Sequence, residues 1–190
     1  MSRQPQNKWT APLIGFLILF LTAAGIADGA EISEVSISRE NKSVSVNAEL
    51  ILDEGQIADL NSGIQKELIF YVDLFKHWNF WPDEFITGII FTRVIKSDPI
   101  KKEFSLISVE RRSKTETRYN SLETLLSHAL KIDSERVFST DGLQSGNYFV
   151  KVTVVSRIRK LAPIVGYLLF FVPEKEFSIE RNSERFRVSR

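Results

Sequence analysis

From Ser43 to Leu52 apolar and polar residues alternate, with Val44, Val46, Ala48, Leu50 and Leu52 in one phase and Ser43, Ser45, Asn47 and Glu49 in the other. A period of two sends successive side chains to opposite faces of an extended chain, so this stretch predicts a half-buried β-strand. Val35 and Ile37 predict a shorter strand before it, with the turn at Asn41-Lys42. Residues 67–77 are apolar in both phases, Leu68, Phe70, Val72 and Leu74 in one and Ile69, Tyr71 and Phe75 in the other. That pattern predicts a strand in the interior of a sheet, covered on both faces. Residues 84–96 and 102–111 predict two more strands, joined through Ser97-Asp98-Pro99, where aspartate bonds its own backbone and proline fixes φ. Tyr148, Val150, Val152 and Val154 mark a further strand, and Phe177 with Ile179 a late one.

Two segments change period. Asp53 is placed to cap a short helix, with Gln56 three residues on and Ile57, Leu60 and Ile64 forming one stripe. Leu122, Leu125, Leu126, Ala129 and Leu130 fall at i, i+3, i+4, i+7 and i+8, which predicts a second helix with Asn120 as its cap and Glu123 in its first turn. Seven or eight strands against two short helices predict a mainly β fold, an antiparallel β-sandwich, with a barrel-like closure as the alternative. No repeat or linker interrupts residues 31–190, which read as a single domain.

The start of the chain breaks the alternation altogether. Arg3 and Lys8 precede an apolar run from Leu13 to Ala24, and small residues follow in Gly25-Ile26-Ala27-Asp28-Gly29-Ala30. A basic start, an apolar centre and a small-residue end make a secretory signal over residues 1–30, with cuts offered after Ala27, Gly29 or Ala30. The alternative is an uncleaved inner-membrane anchor over residues 11–27, a span short of the roughly 20 residues that cross a bilayer. The expected location is periplasmic, and the absence of cysteine suits an oxidising compartment.

Composition then narrows the chemistry. Among 190 residues, 25 lysines and arginines face 24 aspartates and glutamates, and this balance argues against a nucleic-acid partner. With no cysteine and two histidines, thiolate metal sites, iron–sulfur clusters and cysteine nucleophiles are excluded and most triads lack material. No metal and no cofactor are expected, nor enzymatic activity.

Two segments remain as candidate sites. Residues 75–84 hold Trp78 and Trp81, two of the three tryptophans, with His77, Phe80, Asp83 and Glu84. Aromatic rings at a strand end can anchor a partner, and His77, Trp78, Phe80 and Trp81 are the candidate partner-binding residues. The plainer alternative tucks the same rings over the end of the core. A catalytic His77 with Asp83 or Glu84 lacks a nearby nucleophile in sequence. The second segment, residues 161–172, is apolar behind Arg157, Arg159 and Lys160, and reads either as core or as a membrane-facing lipid surface built on Tyr167, Phe170 and Phe171. His128 lies at the edge of the second helix's stripe, and residues 140–148, despite Gly142 and Gly146, read as a turn before a strand.

The order of these elements resembles a family. An alternating strand ends in Asp53-Glu54-Gly55, and a short helix and an apolar strand at residues 69–75 follow. Then come Trp78…Trp81-x-Asp83-Glu84, the leucine-rich helix at residues 122–130, Leu143-x-x-Gly146-x-Tyr148 and Leu161-Ala162-Pro163. Over about residues 40–188 the chain is similar to the bacterial domain-of-unknown-function family 4390. The resemblance implies an exported envelope protein with no assigned activity, encoded beside a membrane sensor histidine kinase, and so an envelope or inner-membrane protein as partner. A lipid or hydrophobic ligand at the membrane surface is the alternative.

Overall fold

The computed structural model describes residues 29–40, 42–161 and 171–189, and of residues 134–136, 159–161 and 171–173 the backbone alone. Among the described residues eleven strands and two helices follow one another: β1 (Glu31–Ile32), β2 (Ser36–Glu40), β3 (Ser43–Ile51), α1 (Glu54–Asn61), β4 (Gln65–His77), β5 (Glu84–Asp98), β6 (Glu103–Glu110), β7 (Ser113–Tyr119), α2 (Leu122–Ala129), β8 (Lys131–Ser139), β9 (Gly146–Leu161), β10 (Phe171–Asn182) and β11 (Phe186–Val188). Every pairing is antiparallel. Four strands form one sheet, with β1 and β2 along one side of β3 and β8 along the other. Seven form the second, in the order β10-β9-β4-β5-β6-β7, with β11 continuing beside β9. The inner faces of both sheets and the apolar sides of both helices share one core, from Val44, Val46 and Leu50 to Leu68, Phe70 and Val152, as the sandwich pattern predicts.

The alternation in β3 buries Val44, Val46, Ala48 and Leu50, so the strand read from its pattern is the strand formed. The predicted capping box at α1 is complete: the Gln56 N–H donates to Asp53 Oδ1 at 2.7 Å, and the Asp53 N–H donates to Gln56 Oε1 at 3.0 Å. At α2 the cap is Ser121, whose hydroxyl accepts from the Thr124 N–H at 3.2 Å, in place of Asn120. Ser121 takes the extended backbone that a cap needs, which leaves Asn120 one residue too far out to reach the first-turn donors.

β4 lies between β5 and β9, in the sheet's interior as expected. Its faces are nevertheless unequal. Every residue from Lys66 to Lys76 on the inner face is buried, whereas on the outer face Ile69 is buried and Tyr71, Asp73 and Phe75 are half-buried. Lysines therefore close both ends of the inner row. Lys66 meets Glu176 of β10, whose position follows from a bulge: the β9–β10 register shifts between Lys175 and Phe177, and Glu176 is the extra residue. A bulge re-aims the side chain of its unpaired residue, here onto Lys66 and the Ser156 hydroxyl.

Register places the end that carries the aromatic connection. His77 of β4 stands beside Asn147 of β9, and Asn147 beside Arg187 of β11. Arg39, near the end of β2, donates through Nη1 to the Arg187 carbonyl at 2.8 Å, which brings the β2–β3 turn to the same end. Among the described residues no helix is long and apolar enough to cross a membrane.

Candidate functional site

Residues 78–83 connect β4 to β5, and the polar atoms around them pin the connection to its base. His77 Nδ1 and Asp83 Oδ1 are 2.8 Å apart, and the Trp78 N–H donates to the same carboxylate oxygen at 3.3 Å. The Trp78 indole N–H donates to Glu84 Oε2 at 3.2 Å. Lys76 Nζ lies 4.3 Å from the centroid of the Trp78 ring and donates to Gln144 Oε1 at 2.9 Å. The Tyr148 hydroxyl in turn donates to the Gln144 carbonyl at 2.7 Å, so the β8–β9 connection braces the β4–β5 connection.

Burial pushes the Asp83 carboxyl up, but the hydrogen bonds from His77 and the Trp78 N–H, with the charges of His77 and Arg185, hold it below the usual carboxylate range. All the hydrogen bonds of the His77–Asp83 pair run within the connection, so the pair shapes the loop.

The rings held on this base face water. Trp78 is 41% exposed, Trp81 77% and Phe80 95%. The alternative that tucks them over the core is overturned: the core's end is already closed by Lys76, Tyr148 and Phe186, and Trp78 lies over the outside of Lys76. Below the loop, on the outer face, Phe85 is exposed and meets Phe75 edge-on at 5.7 Å, while Phe75 stacks on Phe149 at 5.5 Å. Lys151 Nζ lies 4.7 Å from the Phe75 centroid, and burial raises the nearby Asp73 carboxyl while Lys151 lowers it. The aromatic surface thus runs from the loop onto the sheet.

Of the four candidate partner-binding residues, Trp78, Phe80 and Trp81 lie exposed on this one loop, and His77, the last residue of β4, sits at its base with its side chain only 14% exposed. Phe85 and the Lys76–Gln144 tether belong with them and were not singled out; Phe85 shows only once the hairpin register sets it opposite Phe75. His128 is exposed and lies 5.5 Å from the Tyr119 ring, away from this end. Gly142, at φ 80°, makes the turn expected of residues 140–148. Tyr167 and Phe170 lie outside the described residues. Phe171 opens β10 paired with Leu161, and its side chain lies outside them too, as does most of the apolar run that was read as core or as lipid surface. Among the described residues no three histidines, aspartates or glutamates converge as a metal site.

Comparison with known proteins gives one result. The family described as Domain of unknown function (DUF4390) matches residues 27–185. No curated protein and no solved structure matches.

Proposed function

The chain belongs to the DUF4390 family, and from that premise we propose that it is an exported, non-enzymatic β-sandwich that captures another envelope protein through its aromatic loop. What supports the location is the leader pattern of residues 1–30. What carries the binding role is the exposure of Phe80 and Trp81 on a loop whose backbone and first tryptophan are pinned by Asp83, Glu84 and Lys76.

A ring free in water is an uncollected hydrophobic gain. Aromatic side chains each bury about 150–250 Å², and at about 25 cal/mol per Å² one such ring brings several kcal/mol of gross driving force. Most interface energy sits in a few such anchors, and each immobilised side chain costs about 0.5–1.5 kcal/mol of ordering. The bonds to Asp83 and Glu84 and the Lys76 ammonium hold the Trp78 backbone and ring, so that part of the cost is met before the partner arrives, and the rings of Phe80 and Trp81 are ordered on binding. The expected partner therefore offers an apolar groove wide enough for two rings, flanked by groups tolerant of Asp83 and Glu84. The resemblance points to an envelope or inner-membrane protein as that partner, and the extracytoplasmic part of a membrane sensor kinase is the one we propose to look for first.

The test is photocrosslinking in intact cells with a photoreactive residue at position 81, read by mass spectrometry. A single dominant envelope protein, lost when Phe80 is changed to Ala, supports capture. Lipid adducts would move the role to a membrane surface, and a crosslink only to residues of this chain would end the proposal.

A further inference from the structure

A cleft of about 500 Å³ opens at the same end of the sandwich, separate from the aromatic loop. Among the described residues Arg39, Lys42, Ser43, Thr140, Arg187 and Ser189 supply its polar lining: three cations, three hydroxyls and no carboxylate. Three chain segments distant in sequence meet there, the β2–β3 turn, the start of the β8–β9 connection and the C-terminal strand β11.

The hydrogen bonds around the cleft leave mainly donors facing it. The Lys42 carbonyl, in a turn where Lys42 adopts φ 66°, already accepts from both the Thr140 N–H at 2.7 Å and the Thr140 hydroxyl at 3.0 Å. The Arg187 carbonyl accepts from Arg39 Nη1 at 2.8 Å. That bond, with the Phe186 ring centroid 5.6 Å from the guanidinium, fixes the orientation of Arg39, and its other N–H groups have no partner among the described residues. Lys42 Nζ pairs with Asp141 at 2.8 Å from outside the lining, and Glu40 stands opposite Ser43 in the hairpin. The Arg187 guanidinium and the hydroxyls of Ser43 and Ser189 have no side-chain partner among the described residues.

We propose that this cleft binds a phosphate-type oxyanion, carried on a larger group. Two guanidinium forks, an ammonium and hydroxyl donors exceed what one carboxylate can accept, but they match a tetrahedral group with three or four oxygens. The volume leaves room beyond the anion for the group that carries it. Such a phosphate is either a soluble phosphomonoester or phosphate, or the headgroup of an anionic phospholipid. The site uses none of the loop's aromatic residues, so it stands or falls apart from partner capture.

The experiment takes the full chain and two probes: inorganic phosphate followed by calorimetry, and flotation with phosphatidylcholine vesicles with or without phosphatidylglycerol. Arg187→Ala removes a guanidinium that holds nothing else in place, and Lys42→Ala serves as a second variant should the first alter the melting temperature. Saturable phosphate binding that Arg187→Ala weakens about tenfold or more, the worth of one charge-assisted hydrogen-bonded fork, supports a soluble ligand. Flotation that requires phosphatidylglycerol and drops by a similar factor in the variant supports a lipid headgroup. In either case Arg187→Lys restores only part of the binding, and added salt weakens it. Absence of saturable binding to both probes, or binding equal in wild type and both variants, overturns the proposal.

Discussion

Glu176→Gln takes one charge from a pair whose other member has no route to water. The Lys66 side chain is 0% exposed, with Nζ 2.5 Å from Glu176 Oε1 and 3.6 Å from Asp59 Oδ2. Removing one partner from a buried pair costs about 3–5 kcal/mol, because an uncompensated charge remains inside. Asp59 stays within reach and takes up part of that charge, so about 3 kcal/mol is expected. The reverse change, Lys66→Met, strands a carboxylate that is 16% exposed and still accepts from the Ser156 hydroxyl at 2.7 Å. Its cost is expected to be smaller, about 1–2 kcal/mol, in the range of an unsatisfied group with access to solvent. Replacing both, Lys66→Met with Glu176→Gln, removes the desolvation of two ions while the amide oxygen introduced at position 176 still accepts from the Ser156 hydroxyl, and is expected to lie near the wild type. Urea unfolding followed by far-ultraviolet circular dichroism gives all three values and the coupling between the sites. If Glu176→Gln costs less than 1 kcal/mol, or if the double variant equals the sum of the singles, the ion pair is not the closed unit described above.

Three further outcomes are expected. Phe80→Ser should leave unfolding free energy within about 0.5 kcal/mol of wild type by the same urea assay, since the ring touches mainly solvent. Ser121→Ala should cost about 1 kcal/mol by thermal or urea unfolding, whereas Asn120→Ala should cost almost nothing, because the hydroxyl of Ser121 holds the first turn of α2. The Asp83 carboxyl titrates below its unfolded value, so its support of the loop is present above about pH 4 and is lost as the pH falls through the folded value. Tryptophan emission should accordingly change as the pH falls below about 4, and Asp83→Asn should lack that low-pH step.

Where side chains alternate in and out, the letters carried the fold. β3 buries one phase of its residues and leaves the other half-buried or exposed, and the Asp53–Gln56 box needs only residues three apart. β7 escaped notice because Ser113 to Arg118 are all exposed, so neither face leaves an apolar phase to read. β8 carries Ile132 and Phe138 in one phase but Val137 in the other, and its pairing with β3 is irregular between Val44 and Val46, so no clean period of two shows. The aromatic loop was visible as composition but not as exposure: tryptophan suits a core and a binding face equally, and the choice was made by Lys76 and Tyr148 filling the end of the core first. The basic cleft had no linear signal, because Arg39 and Arg187 stand 148 residues apart and meet only through the register of β9 and β11.

The seven-stranded sheet stops at β7, and how it stops bears on what happens when many copies are crowded together. An open strand offers free N–H and C=O groups to any extended chain, including another copy of itself. Along β7 those groups are framed by Lys114, Glu116 and Arg118, all in water. A second β7 approaching in antiparallel register would bring like charges opposite one another near the centre, glutamate against glutamate, and would find no apolar face to dehydrate. The terminal strand so discourages fibre growth from this edge, and the chain can display bare tryptophan and phenylalanine at one end without β7 adding to another copy of itself.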